Sequence, residues 1–369
     1  MKFRAQICVV LPLIASVAPA VFAQTAVAKD PRTSTVASLQ GPNLLAPGTD
    51  SRGAGALVNP AANVNPSASE ERKSAAVESV QNSLGAGVAS LNAGHYKEAL
   101  ASFEGARQLA PNSSLVHTWL GYAYLGLREY ENSIKAYERA VSLGSTSIAT
   151  QRALGMGYLG LGKPEQAILT FQETTRLEPE NAINHYLLAV AYSDADQLDD
   201  AADQFLRSLA LDRNHYRSYF GLAAIYADQS RTEDAIGLLK KAIQLKPDFA
   251  EAYLALANGL SSTGNYQDAI HNYDSAIKLN PQNPIARNNL GVAYLRMGKN
   301  KEGLVAFKCA ATLAPQIGEI HLNLARTYLL LQNKDAALAE YTALKTIDSA
   351  LANMVYGEIF QQRILKVRH

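Results

Sequence analysis

Apolar and small side chains recur along most of this chain at a constant spacing of 34 residues. A ladder of leucines, each followed by Gly or Ala, runs through Leu120, Leu154, Leu188, Leu222, Leu256, Leu290 and Leu324. A second ladder runs through Tyr124, Tyr158, Tyr192, Tyr226, Leu260, Tyr294 and Tyr328. A third runs through Phe103, Tyr137, Phe171, Phe205, Leu239, Tyr273, Phe307 and Tyr341. Ladders that keep one register over so many periods predict an array of similar structural units.

Each unit is predicted to form two amphipathic helices joined by a tight turn. Leu154 and Tyr158 are four residues apart and therefore lie on one face of a helix. Ala167 and Phe171 have the same spacing and define one face of a second helix. Residues 160–164, Gly-Leu-Gly-Lys-Pro, separate them and have the composition of a turn that ends with Pro at the start of a helix. One such hairpin cannot bury both of its apolar faces, so the units must stack.

The ladders resemble the tetratricopeptide repeat (TPR), with Leu-Gly-x-x-Tyr on a first helix, Ala-x-x-x-Phe on a second, and a closing proline. The closing prolines are Pro111, Pro179, Pro247, Pro281 and Pro315. The resemblance covers eight consecutive units from Val80 to Leu351, or 272 of the 369 residues. The eight units start at about residues 80, 114, 148, 182, 216, 250, 284 and 318. The resemblance to this repeat implies an all-α, right-handed superhelical solenoid of helix-turn-helix repeats. Residues 352–369, with Val355, Ile359 and Phe360 at helical spacing, are expected to form a capping helix and tail.

The N-terminal residues predict an export signal followed by a tether. Lys2 and Arg4 precede an apolar run from Ile7 to Val17, and small residues follow it, which predicts a signal peptide over residues 1–23 with cleavage after Ala23. An uncleaved anchor is the alternative. Residues 24–68 contain no aromatic residue and are rich in Ala, Ser, Asn and Pro, so they are expected to form a disordered tether. The repeat array is then expected over residues 69–351. The protein is expected to be periplasmic or secreted, in a host that the pattern suggests is bacterial.

The composition of the chain argues against several classes of structure and function. The chain has 34 Lys and Arg against 33 Asp and Glu, so no bulk basic charge favours nucleic acid. It has two cysteines, Cys8 and Cys309, and only Cys309 would remain after cleavage, which excludes an internal disulfide. No apolar run beyond the signal is long enough to suggest a membrane span.

Three features with possible chemistry have simpler structural interpretations. Gly155-Met156-Gly157-Tyr158-Leu159-Gly160 matches GxGxxG, but it falls inside a predicted first helix, whereas a dinucleotide site needs a strand before it. An acidic cluster at residues 194–203 lacks the Gly and Glu of a calcium loop and suits the start of a helix. The seven histidines have no metal-ligand spacing. We therefore expect no catalytic residues, no metal and no cofactor, and a protein that is not an enzyme.

The resemblance also implies where a ligand would bind, because first helices line the concave face in this family. In this register the groove residues are Leu84, Val88, Thr118, Tyr122, Arg152, Met156, Tyr186, Val190, Phe220, Ala224, Leu254, Asn258, Asn288, Val292, Leu322 and Arg326. Arg296 and Asn323 extend a more polar end in the last two repeats. The set is apolar for a solvent face and predicts a binding track, although lateral packing between adjacent first helices is the alternative. Leu84, Val88 and Thr118 stand where some family members carry the Lys and Asn of a carboxylate clamp, so we expect no such clamp.

These features predict a non-enzymatic scaffold or adaptor, exported to the periplasm or cell exterior. It would bind a protein or peptide with hydrophobic anchors through the groove, as part of an envelope complex. Once the signal is removed, the chain is expected to have no membrane span. The alternative is a periplasmic chaperone, or an accessory factor in polysaccharide or cell-wall assembly. That protein would bind polymer at the polar end, around Asn288, Arg296 and Arg326.

Overall fold

The computed structural model describes residues 68–367, with side-chain surroundings for residues 75–360. The predicted signal peptide and the predicted tether up to residue 67 lie outside the described residues. The chain divides into two compact units at the boundary between Arg213 and Asn214. They are named the N-terminal unit and the C-terminal unit.

All seventeen regular elements of the described residues are α-helices. The N-terminal unit contains α1 Ala68–Asn92, α2 Tyr96–Leu109, α3 Ser114–Gly126, α4 Tyr130–Ser142, α5 Ile148–Gly160, α6 Pro164–Leu177, α7 Ala182–Asp194 and α8 Leu198–Leu211. The C-terminal unit contains α9 Tyr216–Asp228, α10 Thr232–Leu245, α11 Ala250–Ser262, α12 Tyr266–Leu279, α13 Pro284–Arg296, α14 Asn300–Leu313, α15 Gly318–Leu330, α16 Lys334–Ile347 and α17 Ser349–Val367. The predicted hairpins are confirmed as an all-α TPR solenoid, with odd-numbered first helices and even-numbered second helices in α1–α16.

Stacking within each unit follows the chain. In the N-terminal unit each first helix packs against its own second helix, and α2, α4 and α6 pack against the first helix that follows them. In the C-terminal unit α10, α12 and α14 pack against α11, α13 and α15 in the same way. Successive first helices also touch, as α3 does with α5 and α11 with α13. Contacts between near neighbours along the chain are what a solenoid requires.

The ring ladder forms the centre of each hairpin. Its members include the largest fully buried side chains of the described residues, among them Phe103, Tyr137, Phe171, Tyr273 and Phe307. Each buried ring removes a large apolar area from water, so this ladder stabilises the repeats.

Each hairpin turn contains one residue in the left-handed backbone region, and these residues again lie 34 apart. They are Gly94, Arg128, Gly162, Asp196, Ser230, Gly264, Gly298 and Gln332, with φ between 60° and 83°. In the seven later turns the next residue donates its N–H back to the residue of the tyrosine ladder, as Lys163 does to the Tyr158 carbonyl at 2.9 Å. In the first turn His95 donates to the Ser90 carbonyl in the same way. This bond closes the C-terminal turn of the first helix.

The last helix covers the end of the array. Ala352, Val355 and Ile359 of α17 are buried with Leu322 and Leu344 in one apolar cluster against α15 and α16. Among the described residues, no helix combines the length and the hydropathy that crossing a bilayer requires.

Candidate functional site

The predicted groove residues of the N-terminal unit are mostly buried. Val88, Thr118, Tyr122, Arg152, Met156, Tyr186 and Val190 expose only 2% to 7% of their surface, and Leu84 is half-buried. Tyr122 donates its hydroxyl to the carbonyl of Ala149 on the next first helix at 3.2 Å. Thr118 bonds to Thr150 on the same next helix at 3.4 Å, so Thr118 and Tyr122 make lateral contacts between first helices. The buried side chains of this set offer little surface to a ligand. Partner binding by them stays a prediction.

Arg152 belongs to a buried polar network. Its Nε donates to Oδ1 of Asn184 at 2.5 Å, and its Nη2 pairs with the Glu178 carboxylate. The amide of Asn184 in turn donates to the carbonyl of Thr174 at 2.8 Å. Burial lowers the pKa of Arg152, while the nearby Glu178 acts in the opposite direction. The guanidinium thus joins α5 to α7 and to the loop before α7. Arg152 was expected to face the groove, but its charged group is used in this buried network.

The groove positions of the C-terminal unit are more open. Leu322 is buried, but the others are half-buried or exposed: Phe220, Ala224, Leu254, Asn258, Asn288, Val292, Arg296 and Arg326. Equivalent positions in the repeat lie on the same face of successive first helices, so these side chains form one surface within this unit. This surface, on α9, α11, α13 and α15, is called the first-helix face below.

An aromatic cluster lies at the start of the first-helix face. The ring centroid of Phe249 is 4.9 Å from that of Phe220 and 5.2 Å from that of Tyr216. Phe249 is the N-cap residue of α11, a position that Ser113, Asn181 or Asn283 occupies in other repeats. Sequence analysis missed Phe249, although a phenylalanine in place of a capping side chain was a visible departure from the pattern.

Asparagine side chains form a hydrogen-bonded row farther along the same face. Asn323 Nδ2 donates to Asn288 Oδ1 at 2.9 Å, and Asn288 Nδ2 donates to Asn289 Oδ1 at 3.2 Å. Asn289 Nδ2 then donates to Asn258 Oδ1 at 3.0 Å, and the hydroxyl of Tyr273 donates to the same oxygen at 2.7 Å. These four asparagines are called the asparagine row. The structure brings together Asn258, Asn288 and Asn323, which were expected in the groove, and adds Asn289, which was not.

The two arginines of the expected polar end are placed differently. Arg326 forms a bidentate ion pair with Glu358 of the capping helix, with an Nη2–Oε1 distance of 2.7 Å. Arg296 is the last residue of α13 and is exposed. Arg326 therefore contributes to the attachment of α17, and its charge is already paired.

The motifs with possible chemistry have packing roles in the structure. A Cβ atom on Gly155, Gly157 or Gly160 would lie 2.5, 3.1 or 2.4 Å from a side-chain atom of Phe171, Ile134 or Tyr130, respectively. The GxGxxG pattern thus reflects close approach of neighbouring helices. His117, His185 and His321 donate from Nε2 to the carbonyls of the prolines six residues earlier, at 2.8 to 2.9 Å. In the part of the chain that the structure describes, no group of three or more His, Cys, Asp or Glu could hold a metal ion.

Family comparisons agree with the repeat geometry. Residues 84–148 and 152–214 match a tetratricopeptide repeat model, residues 224–260 and 257–298 match a TPR repeat model, and residues 318–350 match a further tetratricopeptide repeat model. The chain belongs to the tetratricopeptide repeat family. No curated protein matches the sequence of this TPR protein.

Solved structures show the same fold. A tetratricopeptide repeat protein from Parabacteroides merdae is 17% identical, with a TM-score of 0.54 over 68% of this TPR protein and 99% of that chain. PilF from Pseudomonas aeruginosa is 20% identical, with a TM-score of 0.52 over 57% of this chain and 97% of its own. Yeast Tom70 is 15% identical, with a TM-score of 0.52 over 77% and 65%. At these identities the likeness concerns the fold alone.

Proposed function

We propose that this TPR protein is a non-enzymatic scaffold that binds a segment of a partner protein through the first-helix face of its C-terminal unit. One observation carries the proposal. Most of the expected groove positions are buried in the N-terminal unit. In the C-terminal unit the equivalent positions carry half-buried or exposed apolar and amide side chains, including Phe220, Leu254 and Asn258. A surface with apolar anchor sites beside polar groups suits a peptide segment.

Partner capture with matched variants tests this function. Phe220→Ala with Leu254→Ala removes apolar contact area from the first-helix face. Leu169→Ala with Val305→Ala is the control, because both side chains lie on second helices and are 68% and 62% exposed. The full-length protein, cross-linked in cells and then purified, should capture one partner in the wild type and in the control but not in the face variant.

The folded state of each variant must be compared by thermal unfolding, since Phe220 also packs against the core. Equal capture by a folded face variant and by the wild type would contradict the proposed site. Tyr186, which was expected in the groove, is a poorer probe, because removing its buried ring would leave a cavity that costs about 3–5 kcal/mol.

The proposed setting is the periplasm or the cell exterior, where the protein would take part in an envelope complex. The support is the sequence of the first 23 residues, with Lys2 and Arg4 before the apolar run and small residues after it. N-terminal sequencing of the protein from fractionated cells tests this proposal. A mature chain that starts at Gln24 in the exported fraction is expected, and a chain that starts at Met1 in the cytosol would contradict export.

A further inference from the structure

The aromatic cluster of the first-helix face occurs in only one repeat of the array. Tyr216 stands at the first position of its repeat, where the repeats before and after it have Ala182 and Ala250. Phe249 stands where a capping side chain occurs in other repeats, and Phe220 is the third ring. No other repeat has rings at all three positions. Since the other repeats form the same hairpin without them, the fold does not explain the cluster.

The three rings form an uneven apolar surface that stays partly open. The ring planes of Phe249 and Tyr216 meet at 82°, and those of Phe249 and Phe220 at 54°. Phe220, Phe249 and Leu254 pack against the apolar core of the C-terminal unit, yet all of them, and Tyr216, remain half-buried. Rings that are inclined to one another present both faces and edges. Such a surface suits a compact apolar group, such as a leucine side chain or a proline ring.

The residues that precede the array contain these groups. Residues 24–67 have no aromatic residue, but they contain five of the fourteen prolines of the chain. Leu44 and Leu45 are the only adjacent leucines among them, and Pro42 and Pro47 stand on either side. Proline fixes its own φ and restricts the residue before it to extended conformations. The sequence therefore predicts that residues 42–47 are extended before they bind, which suits recognition by aromatic rings.

Attachment to the same chain favours this segment over a separate peptide. Residues 48–67 connect Pro47 to Ala68 at the start of α1, and twenty extended residues span up to about 70 Å. A compact unit of about 150 residues has a radius of gyration of about 15 Å, so this reach exceeds the diameter of either unit. A flexible connection gives an effective concentration of about 1 mM. A segment with a Kd of about 0.1 mM would then occupy its site about nine-tenths of the time.

We propose that residues 42–47 bind to the aromatic cluster of their own chain, with leucine and proline side chains against Tyr216, Phe220 and Phe249. The segment covers the apolar anchor sites of the first-helix face until a partner displaces it. Displacement by a partner rests on the proposed function, whereas binding of the segment to the cluster does not.

Photo-cross-linking in the full-length protein tests where the segment lies. The photoreactive residue p-benzoylphenylalanine replaces Leu45 in one protein and, as the control, Leu57 in another. Mass spectrometry of the monomeric product should place most cross-links from position 45 on α9 and α11, and about tenfold fewer there from position 57. Cross-links from position 45 that are spread over the array would overturn the inference. Cross-links that occur only in dimers would overturn it in favour of binding between two copies.

A fluorescent peptide of residues 40–50 tests whether the segment competes for its own site. In the full-length protein, Leu44→Asp with Leu45→Asp removes the competing leucines without changing the described array. This variant should bind the peptide about tenfold more tightly than the wild type, as expected if the attached segment occupies the site about nine-tenths of the time. Equal binding by the two proteins, or no binding by the variant, would overturn the inference.

One ring can be removed without loss of the helix cap. Phe249→Asn introduces the side chain that Asn181 and Asn283 provide at the same position of other repeats, so this variant should fold. Introduced into the Asp variant, it should weaken peptide binding at least about tenfold. The matched control is Ile317→Asn, the same kind of change at the N-cap of α15. Unchanged binding after Phe249→Asn, or an equal loss after Ile317→Asn, would overturn the inference.

The inference and the proposed function can fail separately. If the peptide does not bind through Phe249, but partner capture is lost in Phe220→Ala with Leu254→Ala, the inference fails and the proposed function stands. If the peptide binds through Phe249 and partner capture does not depend on Phe220 and Leu254, the segment occupies the cluster and the proposed function is wrong.

Discussion

The ring of Phe171 lies so close to Gly155 that a Cβ atom at this glycine would be 2.5 Å from Cε1 of the ring. The same relationship joins Gly121 to Tyr137 at 2.5 Å and Gly291 to Phe307 at 2.6 Å. The first and second helices of these repeats can approach closely because the first helix has no side chain at the contact. The glycine and the ring are thus one packing unit that recurs along the array.

Gly155→Ala should therefore destabilise the protein by about 1–3 kcal/mol, even though Ala is the better helix former, because the Phe171 ring is fully buried and has little room to move. Urea unfolding would measure the change. The control is Gly105→Ala in α2, where a Cβ meets nothing within 4 Å and the gain in helix propensity should stabilise by up to about 1 kcal/mol. Equal effects at the two sites would show that the ring contact is unimportant.

The left-handed turn residues provide a second prediction. Ser230 and Gln332 have φ of 62° and 60° at positions where Gly94, Gly162 and Gly264 occur in other repeats. A non-glycine residue in this region destabilises the folded state by about 1–2 kcal/mol. Replacing it by glycine removes this strain, but the larger conformational entropy of glycine in the unfolded chain offsets part of the gain. Ser230→Gly and Gln332→Gly should each stabilise the protein by about 0.5–1 kcal/mol.

Thermal unfolding of the two variants, alone and combined, measures this gain. The reverse substitution Gly264→Ala, at φ 83°, should destabilise by about 1 kcal/mol. A lower stability of the glycine variants would mean that Ser230 and Gln332 make contacts that outweigh the backbone term.

Alkaline pH should weaken the fold through its tyrosines. The Tyr158 hydroxyl donates to Glu138 at 3.0 Å, and burial together with this carboxylate raises the pKa of Tyr158 to about 12. Burial also raises the pKa of Tyr122 and of Tyr137. Since these phenols ionise near pH 10 only when the chain unfolds, their stabilisation is complete below about pH 10 and is lost as pH rises towards the folded pKa.

Urea unfolding on both sides of pH 10 measures this loss, which should reach about 1.4 kcal/mol per pH unit for each of the buried Tyr122 and Tyr137. The half-buried Tyr158 should contribute less, because solvent screens its charge. Tyr137→Phe, which restores the residue found at Phe103 and Phe171 in the same ladder, should make the slope above pH 10 shallower without changing the slope at neutral pH. An unchanged alkaline slope would assign the pH dependence to other groups.

The sequence predicts the hairpins well because ladders such as Leu154 and Tyr158 determine which face of a helix is apolar. The ladders do not determine how closely adjacent helices approach. They therefore do not predict that Tyr122 and Tyr186 are buried while Leu254, at the same position of the repeat as Tyr186, is only half-buried. That difference depends on side chains from several repeats acting together. Bonds such as that from Tyr273 to Asn258 likewise depend on geometry between two helices, which the ladders do not contain.

The capping helix should be required for the stability of the C-terminal unit. Ile359 is 6% exposed in the cluster that joins α17 to α15 and α16, whereas Met354 on the same helix is 49% exposed. Ile359→Ala should cost about 2–4 kcal/mol because it removes buried apolar area and leaves a cavity. Met354→Ala is the matched control and should change the free energy of unfolding by no more than about 0.5 kcal/mol. Urea unfolding and protease sensitivity report the difference. If both substitutions had small effects, α17 would not be an integral part of the folded array, and the exposed end of the last repeat would have to be stable by itself.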